Sequence, residues 1–228
     1  MKTVVYGATR NIYKQALVCI NSCIKNGNID RVVLLAEDPE IKLPKKFPDF
    51  EIIDVSNQRY FDFNSQNALR HWTWMVLMKA ALSKVFTDED VVLWLDCDTL
   101  VFKDISNLWD LDLNDYYYAM VKQFSDGRKG TFHRGDYFNA GVMMCNLKKL
   151  RKDQKDDEII DYLNTRSYDF PEQDCINKLC EGKIKPLPGR YNTCDFNVPD
   201  DDIYIRHYAA DGSWINGTLY RLYEVEDI

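Results

Sequence analysis

The sequence predicts an α/β fold: a mostly parallel sheet covered by helices on both faces. Three observations point there. Short runs rich in Val, Ile and Tyr alternate with segments whose apolar residues recur at helical spacing, and strands interleaved with helices pair in parallel because the crossover helix returns the chain to the sheet. No repeat, low-complexity tract or long linker divides the 228 residues, so one domain over 1–228 is expected. An apolar run, VVLWL, stops abruptly at two carboxylates, Asp96 and Asp98, and open α/β sheets bind ligands where their strands end.

In chain order, TVVYGA reads as the first strand. Tyr13, Ala16, Leu17, Ile20 and Ile24 then fall at helical spacing, with Gly27 as a stop signal. RVVLLAE and FEIIDV are the next strands. A helix is expected from about Ser65 to Phe86, with Leu69, Trp72, Val76, Leu82 and Phe86 on one face. Lys79 lies on that same apolar stripe, although lysines usually occupy the solvated face. It either snorkels its amine to water or reaches an anion near the edge of the sheet, and the second is expected. VVLWLD, YYYAMV and FNAGVMMCN follow as strands. A helix occupies the charged segment after Leu147, another starts near Pro171-Glu172-Gln173, and IYIRHYA is the last strand. The polar, glycine-rich stretch from Ser125 to Gly135 is expected to be a mobile flap.

Composition narrows the function. With 29 basic and 36 acidic residues the net charge is −7, and no basic stripe exists to bind nucleic acid through its phosphates. A phosphate-bearing substrate would need a metal ion to supply the compensating charge. The opening MKTVVYGATR lacks the form of a secretory signal, and no apolar run is long enough to cross a bilayer. Seven cysteines, without C-x-x-C spacing and mostly inside apolar segments, fit small buried hydrophobes. A cytoplasmic setting is therefore expected.

The two aspartates need a cation. Burying an unpaired charge costs several kcal/mol, and residues i and i+2 of an extended segment point the same way, so Asp96 and Asp98 can converge on one ion. Oxygen ligands suit Mg²⁺ or Mn²⁺. From the residues alone, three readings stand: an ordinary strand-end turn; a haloacid-dehalogenase-type phosphatase, whose D-x-D-x-T would need threonine where Leu100 stands; and a sugar–nucleotide transferase in which the metal bridges the aspartates and a diphosphate.

Beyond this pair, several spaced motifs between Val4 and Trp214 make the sequence similar to glycosyltransferase family 8. ATRNIYKQALV resembles the family's opening strand-to-helix turn, LDCDTLV its metal-binding D-x-D, and YFNAGVMMCNLKKLR (Tyr137 to Arg151) one of its signatures. EQDCIN (Glu172 to Asn177) resembles its D-Q-D-x-x-N with glutamate first, and IRHY places His207 where the family has a third metal ligand. The resemblance implies a single GT-A domain with a Rossmann-like mixed sheet. It implies transfer of a hexose, glucose or galactose, from a UDP-sugar to an acceptor hydroxyl with retention. The acceptor could be a glycan, a lipid-linked glycan or a protein.

The site residues follow from the same resemblance. Asp96, Asp98 and His207 would bind Mn²⁺ or Mg²⁺, with Cys97 between the aspartates beside the donor. Ala8, Thr9 and Asn11 would line the uridine pocket, and Tyr13 would stack on uracil. Lys79 would contact the diphosphate or the sugar, and Asn139, Ala140 and Gly141 would hold sugar hydroxyls. Glu172 and Asp174 would bind donor hydroxyls, while Gln173 would support catalysis beside the anomeric carbon, an amide being a poor nucleophile. Two departures stand out. HYAADGSW is shorter than the family's closing H-x-x-G-x-x-K-P-W and lacks its lysine, and Lys122 occupies a position that is acidic in many members. The alternative these departures raise is a module that binds UDP-sugars without transferring them.

Overall fold

The computed structural model describes residues 1–69, 73–123, 136–194, 200–209 and 214–224, so the expected flap lies outside the described residues. The chain forms two compact units. Met1–Asn57, Leu93–Leu111 and Gly189–Ile228 make the first, and Gln58–Val92 with Asp112–Pro188 the second.

In the first unit, β1 (Thr3–Ala8) is buried along its whole length, as a strand covered on both faces must be. It pairs in parallel with β2 (Arg31–Ala36), Thr3 opposite Arg31 and Ala8 opposite Ala36, and β2 pairs in parallel with β3 (Glu51–Asp54). Between β1 and β2 runs α1 (Tyr13–Asn26), which buries Ala16 to Cys23. Gly27 caps it, at a position with no room for a side chain. Its φ is an ordinary −78°, but a Cβ there would stand 2.7 Å from the Cys23 carbonyl, which accepts the Gly27 N–H at 2.8 Å.

The second unit opens differently from expectation. In place of a helix from Ser65 to Phe86, the chain turns over Ser65–Leu69, where the Leu69 N–H donates to the Ser65 carbonyl, and Leu69 is 71% exposed rather than on an apolar face. Asn67 ties this turn down. Its amide donates to the carbonyls of Leu163 and Arg166, and its oxygen accepts from the Tyr168 N–H. Thr73 then takes φ 60°, a strained conformation for a β-branched residue that ends any continuous helix. Trp74–Ala81 follow as a 3-10 helix and Leu82–Val85 as α2. Trp72 lies outside the described residues.

The strand β4 (Val91–Leu95) leads into β5 (Thr99–Val101), and β6 (Tyr118–Lys122) pairs antiparallel with β7 (Phe138–Asn146). The charged segment after Leu147 makes two helices, α3 (Leu147–Lys152) and α4 (Lys155–Thr165), broken at Gln154 with φ 53°. Helix α5 (Pro171–Leu179) carries Pro171 in its first turn, where proline costs no hydrogen bond. β8 (Ile184–Leu187), β9 (Ile205–His207) and α6 (Thr218–Tyr223) complete the described elements. Seven strands form a mixed, mostly parallel sheet in the order β3-β2-β1-β4-β7-β6-β8, and β5 pairs with β9 apart from it. Neither β5 nor β8 is signalled by the sequence pattern. No helix among the described residues is long and apolar enough to cross a membrane.

One buried carboxylate couples stability to pH. Asp156, at the start of α4, accepts from Ser83 Oγ at 2.5 Å and from its neighbour Asp157 N–H, and pairs with Lys84 at 3.0 Å. Burial raises its pKa, but the bonds from Ser83 and Lys84 overcome that and hold it below the ordinary value. A depressed folded-state pKa gives stability that is present above the unfolded value and lost as pH falls through the folded one. Asp156→Asn is expected to cost about 1–3 kcal/mol at neutral pH. In thermal melts, the gap between variant and wild type should close as pH drops below about 4.

Candidate functional site

In the first unit, the strand β4 stops at Leu95, and the next three residues form a turn rather than continuing extended. Convergence of the two aspartates is therefore a property of the turn, not of strand pleating. Thr99 closes it, donating from N–H and Oγ1 to the Asp96 carbonyl. Trp94, buried in β4, donates its indole N–H to Asp96 Oδ1 at 2.7 Å and so aims that carboxylate. Cys97 points the other way, its thiol on the Gly7 carbonyl. The antiparallel pair β5–β9 sets His207 opposite Thr99, and the Tyr208 N–H donates to the Asp98 carbonyl.

Together these contacts bring ligand atoms of Asp96, Asp98 and His207 within 4.8 Å of one another. His207 Nε2 lies 3.1 Å from Asp98 Oδ1, and its Nδ1 lies 2.8 Å from Asn192 Oδ1. Asn192 can only accept through that oxygen, so Nδ1 carries a proton. Burial alone would strip the second ring proton, but the adjacent Asp98 carboxylate outweighs it and holds the His207 pKa well above its usual value. Two carboxylates and an imidazole fixed through its far nitrogen are a donor set that fits a hard or borderline divalent cation.

The turn from β1 to α1 belongs to the same unit. Ala8 and Thr9 are buried, Thr9 Oγ1 donates to Asn11 Oδ1 at 2.7 Å, and the Tyr13 hydroxyl donates to the Lys42 carbonyl at 2.6 Å. Burial pushes the Tyr13 phenol up to about 12. Lys42 also lines a cavity of about 330 Å³ with Ala36, Asp38, Ile41, Phe50 and Asp54, beyond the ends of β2 and β3.

A second cluster lies wholly within the second unit. Lys79 is 3% exposed, which rules out snorkelling. Its ammonium meets Glu172 Oε1 at 2.9 Å and the Ala140 carbonyl at 3.2 Å. β6 and β7 shift register between Met120 and Val121, which face Met143 and Asn139, so Asn139, Ala140 and Gly141 lie at a kink. There the Gly141 N–H reaches back to Asn139 Oδ1. In α5, Gln173 Oε1 accepts from the Ala140 N–H at 2.9 Å, and its Nε2 donates to the Tyr137 hydroxyl at 2.7 Å and to Gln123 Oε1 at 3.2 Å. Asp174 accepts from Tyr137 at 2.7 Å and from the Phe170 N–H. Lys122 pairs with Asp136 at 2.7 Å, so its charge has a local counterpart.

Residues 3–198 match the family described as Glycosyl transferase family 8. The chain belongs to that family. Similar chains occur in bacteria. Glycosyltransferase GlyA of Streptococcus pneumoniae is 30% identical over 228 residues, covering 92% of this chain and 32% of GlyA. A lipopolysaccharide 1,2-glucosyltransferase of Escherichia coli K12 is 34% identical over 113 residues, 46% of this chain and 33% of that protein. The chain thus spans about a third of the length of these curated relatives. The galactosyltransferase LgtC, solved with donor and acceptor sugar analogues, has the same fold, with a TM-score of 0.65 at 22% identity over 92% of this chain and 87% of LgtC. The family 8 chain is a GT-A fold.

Four polar residues of this family 8 chain escaped the sequence reading: Trp94 and Asn192 beside the candidate metal ligands, and Gln123 and Tyr137 beside Gln173. Only Tyr137 carried a signal, by standing at the head of the YFNAG signature. The missing lysine of the closing motif falls at positions outside the described residues.

Proposed function

We propose that the chain transfers a hexose, glucose or galactose, from a UDP-sugar to an acceptor hydroxyl with retention at the anomeric carbon. The observation that carries this is the Asp96–Asp98–His207 cluster in a family 8 chain. The cluster would hold Mn²⁺ or Mg²⁺, and a cation bound there supplies Lewis-acid neutralisation of the charge that builds on the departing diphosphate. A UDP-hexose carries the complementary chemistries: a diphosphate for a cation, a pyrimidine for an aromatic face, and a ring of hydroxyls for paired carboxylates.

Tyr13, held at its hydroxyl by Lys42, offers a ring to stack on uracil, beside Ala8, Thr9 and Asn11. Lys79 is already neutralised by Glu172, which favours sugar hydroxyls over the diphosphate as the partner of that pair. Asn139, Ala140 and Gly141 would meet further hydroxyls, as would Asp174. Gln173, with one carbonyl lone pair on the Ala140 N–H, keeps a second with which to face the cationic, oxocarbenium-like centre that forms as the glycosidic bond breaks. The acceptor would be a glycan, a lipid-linked glycan or a protein.

The test is UDP release from UDP-glucose, UDP-galactose and their N-acetyl forms, with Mn²⁺ and with EDTA, followed by proton NMR of the product anomer. Release from a hexose donor, lost in EDTA and giving the α-product, is the expected result. Nucleotide binding with no release from any of the four donors would leave a binding module instead.

A further inference from the structure

We propose that Tyr137 is the positioning residue that sets the direction of the Gln173 amide, an inference that rests on the donor reading above. The phenol has one proton. Asp174 Oδ1, 2.7 Å away, can only accept while ionised, so the O–H is committed to it. The phenol oxygen then presents a lone pair to Gln173 Nε2, also at 2.7 Å. At its other end the same amide accepts the Ala140 N–H through Oε1.

Each contact fixes the sense of the next. A flipped amide would oppose its NH₂ to the Ala140 N–H and its oxygen to a phenol whose proton is already used. Gln123 Oε1 is a further acceptor on the Nε2 side. The carboxylate of Asp174 thus acts through Tyr137 on Gln173, one residue away in sequence on the same helix, a relay that adjacent positions on α5 could not form directly because their side chains diverge. Burial and the neighbouring Asp174 both push the Tyr137 pKa up, so the phenol keeps the proton that it donates.

A hydroxyl that only braced the fold would not act through one particular amide. Tyr137→Phe keeps the ring and removes the relay. With a donor that wild type turns over, kcat is expected to fall about 10-fold to 100-fold, with the donor KM unchanged within about 3-fold. In a Gln173→Ala background, where there is no amide to orient, adding Tyr137→Phe should cost nothing more. Unchanged kcat, a rise in KM alone, or the same loss in both backgrounds would overturn the proposal. If Tyr137→Phe does not fold, Asp174→Asn takes its place, read by kcat alone: its donor KM is expected to rise in both backgrounds because Asp174 also meets donor hydroxyls, while the kcat loss should appear only where the Gln173 amide is present. A wild type that releases no UDP from any donor sinks the parent reading instead, so the two failures are distinct.

Discussion

Asp98→Asn is expected to abolish metal-dependent nucleotide binding while leaving the fold intact. Titration of UDP in Mn²⁺ by calorimetry should show at least a 100-fold loss of affinity, roughly 3 kcal/mol, in a variant that still melts cooperatively, its melting point lowered only by loss of the contact between Asp98 and His207. The size follows from the donor set. Removing even a partner that merely orients a metal ligand typically costs about 10-fold to 100-fold in affinity, and Asp98 is itself one of three candidate ligands. Intact folding follows from where the contacts lie. The Asp98 side chain is 33% exposed, and the bond that anchors this turn to β9 runs from the Tyr208 N–H to the Asp98 backbone carbonyl, which asparagine keeps.

Asn192→Ala separates the shells. It leaves all three candidate ligands and frees His207 Nδ1, so its loss of Mn²⁺-dependent UDP affinity should fall between about 10-fold and 100-fold. Affinity for UDP that survives Asp98→Asn in Mn²⁺ would remove the cation from this cluster.

Part of the candidate metal cluster was legible in the sequence because two charges ending an apolar strand break a local rule, whereas His207, next to Arg206, was reached through the family resemblance. The cluster's second layer was not legible. Trp94 and Asn192 look ordinary in sequence, and their bonds to Asp96 and His207 exist only once β4, the turn after it and the segment before β9 are brought together. Strands β1, β2, β4 and β7 were readable because they are buried along nearly their whole length, so composition and period agree. β5 and β8 are too short to carry a period, and β8 contains Pro186, which argues against a strand by local preference alone. The region from Ser65 to Phe86 misled for the opposite reason. Its apolar residues do recur at helical spacing, but Asn67 satisfies carbonyls of α4 and the chain after it, and Thr73 takes a positive φ with an extended ψ, outside any helical conformation. Tertiary contacts override the local pattern there, and the anomaly that pattern raised, a lysine among apolar residues, is resolved by Glu172 on α5, far away in sequence.

Lys79→Ala should be the most disruptive single change in the second unit. Lys79 and Glu172 are both buried, with their charged atoms 2.9 Å apart. Deleting one partner of a buried pair leaves the other charge uncompensated and costs about 3–5 kcal/mol, a large share of the roughly 5–15 kcal/mol that holds a typical domain folded. A drop in turnover by Lys79→Ala is therefore ambiguous, since the variant is expected to melt early as well. The double substitution Lys79→Met with Glu172→Gln resolves it. With both charges gone and the volume kept, most of the lost stability should return, because replacing a buried ion pair by neutral side chains of similar size is often neutral or better. Turnover of UDP-sugars should not return, since the reading above gives the pair sugar hydroxyls to bind and neither methionine nor a neutral amide reproduces an ammonium beside a carboxylate. A double variant that melts like wild type and also turns over donor like wild type would reduce the Lys79–Glu172 pair to a structural brace and move sugar recognition elsewhere on β7 and α5.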